Sequence, residues 1–293
     1  MNANVNAKRK IKSSTIRKLE GSLFIAPWVI GFLAFMVFPL CYSFYMSFNT
    51  VKILATGIDV KWQGLKHYKY ILFENGSLLY NDLFPFLRQA LLMLPIIVVF
   101  SLLIAIILNQ KFWGRTLFRS IFFLPVIFTT GQVVQEFMSQ GEGQLGFLER
   151  YNVSSLISTH LASTWSTPIV RIMDSFVLIL WYSGVQILIF LAGRQTISAS
   201  VYEAARIDGA SPWDTFWKIT LPAMLPFVLL NLIYTTVDLF TFPTNPILTK
   251  VTTANYGQSS ALAWIYFAII FVFLAVVFLV FSRVTRSHTA ASR

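Results

Sequence analysis

The chain has 293 residues, of which 56% are apolar and only 12% charged, and its formal net charge is +11. Soluble domains carry roughly a quarter of their residues as charged side chains, so this balance excludes an ordinary soluble protein and defines an integral membrane one. The basic residues sit at the ends of apolar stretches, not on a soluble module, which assigns the charge to anionic lipid and not to nucleic acid, and the lone Cys41 excludes an intramolecular disulfide or a cysteine-based metal site.

A helix rises about 1.5 Å per residue and the hydrocarbon core is about 30 Å thick, so a span needs roughly 20 apolar residues. Six stretches qualify in chain order: 23–48, 90–108, 117–137, 170–191, 223–242 and 261–281. The expected fold class is therefore an all-α integral membrane protein of about six transmembrane helices, forming one domain over 1–293. Pro39, Pro95 and Pro125 lie inside these stretches, where neighbouring groups re-satisfy the carbonyls that proline frees. Residues 1–21 form a basic N-terminal segment holding Lys8, Arg9, Lys10, Lys12, Arg17 and Lys18. The apolar stretch after it is longer than the roughly 7 to 15 residues of a cleavable signal core, so it is expected to remain as an anchor.

Basic residues sort by loop. The N-terminal cluster, Lys111 with Arg115 and Arg119, Arg194 with Arg206 and Lys218, and Arg283 with Arg286 and Arg293 all fall on one side. The positive-inside rule makes that side cytoplasmic and places both termini there, although Lys52, Lys61, Lys66 and Lys69 on the other side weaken the bias. The polar stretches 49–84 and 139–168 become external docking caps, too short to fold as soluble domains.

In the third stretch Thr130 is a candidate for the pathway, while Gln132, Gln135 and Glu136 close its external end. In the fourth, Asp174 follows Arg171 at a spacing that allows a helical ion pair, and Asp174, Leu178, Trp181 or Tyr182, and Val185 share one helix face. Thr235, Asp238 and Phe242 repeat that arrangement on the fifth, with Asn231 and Tyr234 nearby. Aromatic faces with a few hydrogen-bonding groups suit a sugar, whose C–H faces stack on rings and whose hydroxyls need polar partners; helix packing accounts for any single aromatic equally well. Ionisable groups at bilayer depth mark pathways because they are costly to hold there.

Between the fourth and fifth stretches lies 200–222, a charged and well-punctuated segment. Ser200 with Glu203 reads as a capping box, and Ser211-Pro212-Trp213-Asp214 as a second with proline at the first helical position. Gly209 between them supplies a left-handed break. Ala204, Ala205 and Ala210 permit close approach, whereas Tyr202, Ile207, Trp213, Phe216 and Trp217 offer more apolar surface than a water-facing loop displays. The segment reads as a helix-bend-helix docking element. No phosphate-binding G-x-x-x-x-G-K-[ST] loop occurs, since Gly114-Arg115-Thr116 lacks both the upstream glycine and the lysine. His67, His160 and His288 have no ligand-spaced companions for a metal site, and no nucleophile, base and orienting acid stand in a supporting context, so neither catalysis nor a resident cofactor is expected.

Glu203-Ala204-Ala205, Asp208-Gly209-Ala210 and Ile219-Thr220-Leu221-Pro222 stand at the spacing of the EAA loop, and at these residues the chain resembles the membrane subunits of ATP-binding-cassette importers. Ala26-Pro27, Phe38-Pro39, Gly64-Leu65-Lys66-His67-Tyr68, 119–125 and 256–262 look like the carbohydrate-uptake permeases, in particular the first of their two membrane subunits. The resemblance implies the type I importer permease fold, a second homologous permease, two nucleotide-binding subunits that use ATP and Mg, an external solute-binding protein and a bacterial inner membrane. It further implies that Glu203, Ala204, Ala205, Asp208, Gly209 and Ser211 couple to the ATPase, with Glu203 and Gly209 foremost, and that transport runs by alternating access. An oligosaccharide is the expected substrate, with glycerol phosphate or an acidic sugar as the alternative. A secondary transporter or channel would need an ion relay and an internal repeat that the chain does not display, and a receptor-like or structural component would leave the capped loop idle.

Overall fold

In the computed structural model the described residues are 13–54, 57–74, 78–110, 112–127, 136, 153–161, 166, 169–170, 173, 176–242, 245–251 and 255–291. Helix α1 (Ser13–Phe32), a π-helical turn (Leu33–Val37) and α2 (Phe38–Ser47) form the first rod, followed by strands β1 (Asn49–Leu54) and β2 (Gly57–Trp62) and the short helix α3 (Lys66–Lys69). Further π turns (Tyr70–Glu74, Leu78–Leu83) lead to α4 (Phe84–Asn109), then α5 (Arg115–Ile127), α6 (Val153–His160) and α7 (Phe176–Gln195). The chain continues through α8 (Ala199–Ile207), α9 (Pro212–Thr215), a π turn (Phe216–Thr220), α10 (Leu221–Thr241), a 3₁₀ turn (Leu248–Lys250) and α11 (Tyr256–Ala291).

Among the described residues five helices are long and apolar enough to cross a membrane: Glu20–Ser47, Tyr80–Asn109, Leu178–Gln195, Pro212–Thr241 and Tyr256–Arg283. They correspond to the first, second, fourth, fifth and sixth stretches read from the sequence. Of the third, α5 supplies the part up to Ile127, and the remainder of 117–137 lies outside the described residues apart from 136. Three of the π turns end two residues before a proline: Val37 before Pro39, Leu83 before Pro85 and Thr220 before Pro222. Proline has no N–H to donate and crowds the carbonyl one turn back, so the preceding turn widens while the rod continues.

The chain forms two compact units, one of residues 1–70 with 252–264, the other of 71–251 with 265–293. In the first, β1 and β2 pair antiparallel, with Asn49 opposite Trp62, Val51 opposite Val60 and Ile53 opposite Ile58. This hairpin is a departure from the all-helical expectation, although the alternation of β-branched residues at Val51, Ile53, Ile58 and Val60 carries its signal. The Asn49 amide caps α2 by donating to the Tyr45 carbonyl (2.6 Å), and Tyr68 donates to the Ser47 hydroxyl (2.7 Å). Phe48 packs among Phe44, Trp62 and Tyr68, with ring centroids 5.1, 5.8 and 5.5 Å away. His67 is buried, its Nε2 lying 3.4 Å from the Thr50 hydroxyl.

Gly257, in the first turn of α11, sits directly against the Asn49 carbonyl, where an added Cβ has no room. A backbone atom cannot rotate out of the way as a side chain would. Gly257→Ala is therefore expected to destabilise the protein by about 2 kcal/mol or more, read as a lower Tm in detergent; an unchanged Tm would show that α11 has room to retreat.

In the second unit α7 is central, packing against α4, α5 and α10. Val98, Leu102, Ala105 and Leu108 of α4 meet Ile187, Phe190 and Leu191 of α7 and Met224 of α10, all buried. Gly193 lets α7 approach closely, since a Cβ there would stand 2.5 Å from the Phe227 ring. An ion pair joins Lys250 to Asp82. Phe240 is enclosed by Phe86, Tyr266 and Phe273, and its carbonyl, left over at the end of α10, accepts from Asn245 (3.1 Å) and Tyr266 (2.8 Å). By contrast, the first rod displays Phe24, Phe35 and Trp28 with 90%, 86% and 69% of their surface open, which only lipid or another membrane helix covers favourably.

Candidate functional site

The segment between α7 and α10 is a helix, a bend and a helix. Its first helix begins two residues earlier than the Ser200 capping box implies. Ser198 takes the extended N-cap conformation without a side-chain cap bond, its hydroxyl lies 2.9 Å from that of Ser200, and Glu203 falls in the second turn, beyond capping reach. Ile197, packed against the α4–α7–α10 core, fixes where the chain leaves that core, and Ala199 is a strong helix former at the first position. The bend is as expected. Gly209 has φ +72°, the Ala210 N–H donates to the Ala205 carbonyl (2.9 Å) and the Gly209 N–H to the Arg206 carbonyl (3.1 Å). That pair of bonds is a Schellman motif, which requires a left-handed residue and therefore favours glycine.

The second cap forms as read. The Ser211 hydroxyl accepts from the Asp214 N–H (3.1 Å) and donates to the Asp214 carboxylate, while Lys218 Nζ lies 2.9 Å from Asp214 Oδ1. The Ser211 hydroxyl, then Lys218, hold this exposed carboxyl below the ordinary carboxylate range. Of the proposed coupling residues, Glu203, Ala204, Asp208, Gly209 and Ser211 are exposed and Ala205 is buried. Ile207 and Trp213 present 86% and 70% of their surface, the most exposed of the apolar side chains that this element displays, with Val201 and Trp217 also open.

Tyr202 points inward. Its hydroxyl lies 3.0 Å from that of Thr220 at the entry to α10, and the Arg194 guanidinium from the last turn of α7 lies 4.0 Å above its ring. Neither Arg194 nor Thr220 had a role in the sequence reading beyond topology and motif spacing.

Thr130 and Asp174 lie outside the described residues. Tyr182 is buried with its ring 4.5 Å from that of Phe242, and together with Leu178 they line a cavity of about 90 Å³, closed by Phe86, Gln89, Met93, Leu239 and Asn245. Ligand sites run to roughly 300 Å³ and more, so this space holds no sugar. Thr235 is fully buried and accepts from Gln186 Nε2 (3.2 Å), which also serves the half-buried Asp238. Asn231 donates to the Gln186 backbone carbonyl (3.4 Å). Gln186 thus ties α7 to α10 through a polar seam, and the side-chain oxygens of Gln186 and Asn231 are buried without a partner among the described residues. In the sequence the only sign of Gln186 is a polar residue in an apolar run, four residues after Tyr182 and on the same face. Trp181 and Val185 are half-buried beside this seam. Among the described residues no group of three histidine, cysteine, aspartate or glutamate side chains stands at metal-binding distance.

Several apolar spans, two of them joined by a capped and bent helix pair, define a multi-pass membrane protein. Residues 75–288 match the family described as binding-protein-dependent transport system inner membrane component. The chain is 31% identical over 283 residues to the probable ABC transporter permease protein YesP of Bacillus subtilis, covering 88% of this chain and 90% of that one. It is 32% identical to the arabinooligosaccharides transport system permease protein AraP of the same organism (72% and 65% covered). Its identity to the trehalose/maltose transport system permease protein MalF of Thermococcus litoralis is 27% (81% and 78% covered). Its fold is similar to a chain of a bacterial alginate ABC transporter crystallised with an alginate pentasaccharide-bound periplasmic protein, with a TM-score of 0.62 at 19% identity over 93% of this chain and 97% of that one. The chain belongs to the binding-protein-dependent inner membrane component family, and is an ABC importer permease subunit, a transport component and not an enzyme.

Proposed function

We propose that this chain is the first of two permease subunits in a bacterial ATP-driven importer of oligosaccharides, with both termini in the cytoplasm. The carrying observation is the rigid helix-bend-helix element: its exposed face, Glu203, Ile207 and Trp213, is free to enter a groove of a nucleotide-binding subunit that supplies ATP and Mg chemistry. Sugars follow from relatives named for arabinooligosaccharides, multiple sugars, lactose and trehalose/maltose. Leu178, Tyr182 and Phe242 border the 90 Å³ cavity, and with Trp181, Val185, Thr235 and Asp238 they are the proposed contribution of this chain to a path completed by the second permease, with Thr130 and Asp174 as further candidates. Transport follows alternating access, driven by differential binding of nucleotide to the two conformations.

The test is reconstitution with a homologous second permease, an ABC ATPase and a solute-binding protein from the same organism. ATP-dependent accumulation of an oligosaccharide from a defined panel supports the reading; ion-gradient-driven uptake without the ATPase overturns it. Orientation has its own check. In a Cys41→Ser background, Lys61→Cys on β2 is expected to react with an impermeant maleimide from outside intact cells and Ile207→Cys only after lysis, and the reverse pattern inverts the topology.

A further inference from the structure

We propose that Tyr202 is the strut that makes the helix pair move together with both adjoining spans; the proposal rests on the coupling role assigned above. The side chains of α8 divide sharply. Val201, Glu203, Ala204, Arg206 and Ile207 are exposed, and Ala205, buried, is too short to grip a neighbour. Tyr202 reaches both spans. The single hydroxyl proton of Thr220 is directed to the Thr215 carbonyl (3.3 Å), so at the 3.0 Å contact the phenol donates and the threonine oxygen accepts. Thr220 is itself buried at the head of α10, which makes that bond a fixed attachment to the fifth span.

The second attachment is to the fourth span. Arg194 stands in the last turn of α7, where a cation is favoured by the helix end, and its guanidinium rests on the Tyr202 face at 4.0 Å. Tyr202 is therefore a positioning residue with two anchors of different chemistry, a hydrogen bond toward α10 and a cation–π stack toward α7. Without it, no α8 side chain grips either span, and α8 is held by the backbone at 196–198 and by the bend at 208–211 alone.

The two anchors can be cut separately. In the assembled transporter in nanodiscs, on a Cys41→Ser background, nitroxide pairs at Val201 and Leu230 report α8 against α10, and pairs at Val201 and Leu188 report α8 against α7. With MgATP and vanadate, the parent is expected to keep both distances narrow, because helix pair and spans move as one body. Tyr202→Phe, which keeps the ring and loses the hydroxyl, is expected to double the width of the α8–α10 distribution alone. Tyr202→Ala is expected to broaden both. Narrow distributions in Tyr202→Ala, or equal broadening of both pairs in Tyr202→Phe, overturn the strut. So does loss of the nucleotide-binding subunits on purification of Tyr202→Ala, which would make Tyr202 a docking residue. Failure of the coupling reading shows differently, as full transport by Glu203→Lys.

Discussion

Glu203→Lys and Gly209→Pro are each expected to reduce ATP-driven uptake to background while the membrane helices remain folded. Glu203 is exposed on α8 and no hydrogen bond or ion pair holds it to the described residues, so its charge reversal costs no more than the roughly 0.5 kcal/mol of a typical surface change. Any loss of transport then belongs to a partner that meets Glu203. Gly209 acts through the backbone. Its φ of +72° lies far from the roughly −65° that proline imposes, and proline also removes the N–H that donates to the Arg206 carbonyl. The Schellman turn cannot form, and α8 and α9 lose their fixed angle. The effect stays local because Gly209 has open space around its Cβ direction. Uptake at matched membrane levels, with Tm recorded alongside, checks both. Wild-type uptake by the two variants would remove the helix pair from the mechanism.

Trp181→Ala and Asp238→Ala are expected to lower oligosaccharide uptake by about ten- to a hundredfold, corresponding to the loss of roughly 1 to 3 kcal/mol of substrate contact. Binding-protein-stimulated ATP hydrolysis is expected to survive at least in part. The two effects separate because these residues lie on α7 and α10, away from α8 and α9, which are proposed to meet the nucleotide-binding subunit. Gln186 supplies a control: it holds Thr235 by a buried bond and serves Asp238, so Gln186→Leu is expected to lower Tm as well as uptake. If uptake and ATP hydrolysis fall in the same proportion in Trp181→Ala and Asp238→Ala, those residues pack the bundle, and the sugar path runs over other faces.

Much of the helix-bend-helix element is legible in the sequence because its determinants are local. Ser211 followed by proline and an aspartate at the third helical position specifies an N-cap whatever surrounds it, and Gly209 is the residue that a left-handed bend selects. Ser198 and Ser200 compete for one role, however, and composition cannot rank them; the packing of Ile197 against the core decides where the chain departs. The hairpin at 49–62 escaped for a related reason. Its alternation is short and embedded in an apolar protein whose dominant signal is length, and two strands gain stability only when something covers one face, here Phe48, Tyr68 and the close approach of α11 at Gly257.

The membrane location of the chain, the approximate places of its spans and the capped, bent element between the fourth and the fifth can be read from the sequence alone. These follow from apolar run length, from proline and glycine backbone chemistry and from charge placement, all of which act within one or two helical turns. Only the tertiary structure decided which side chains meet: Tyr202 with Arg194 and Thr220, Gln186 with Thr235 and Asn231, Tyr182 with Phe242. Neighbouring helices bring together residues 8 to 60 positions apart, and which pairs they are depends on the rotation and depth of each helix. Those are set by how Ala105, Gly193 and Met224 let α4, α7 and α10 close on one another, a property of the packed surfaces and not of any one segment.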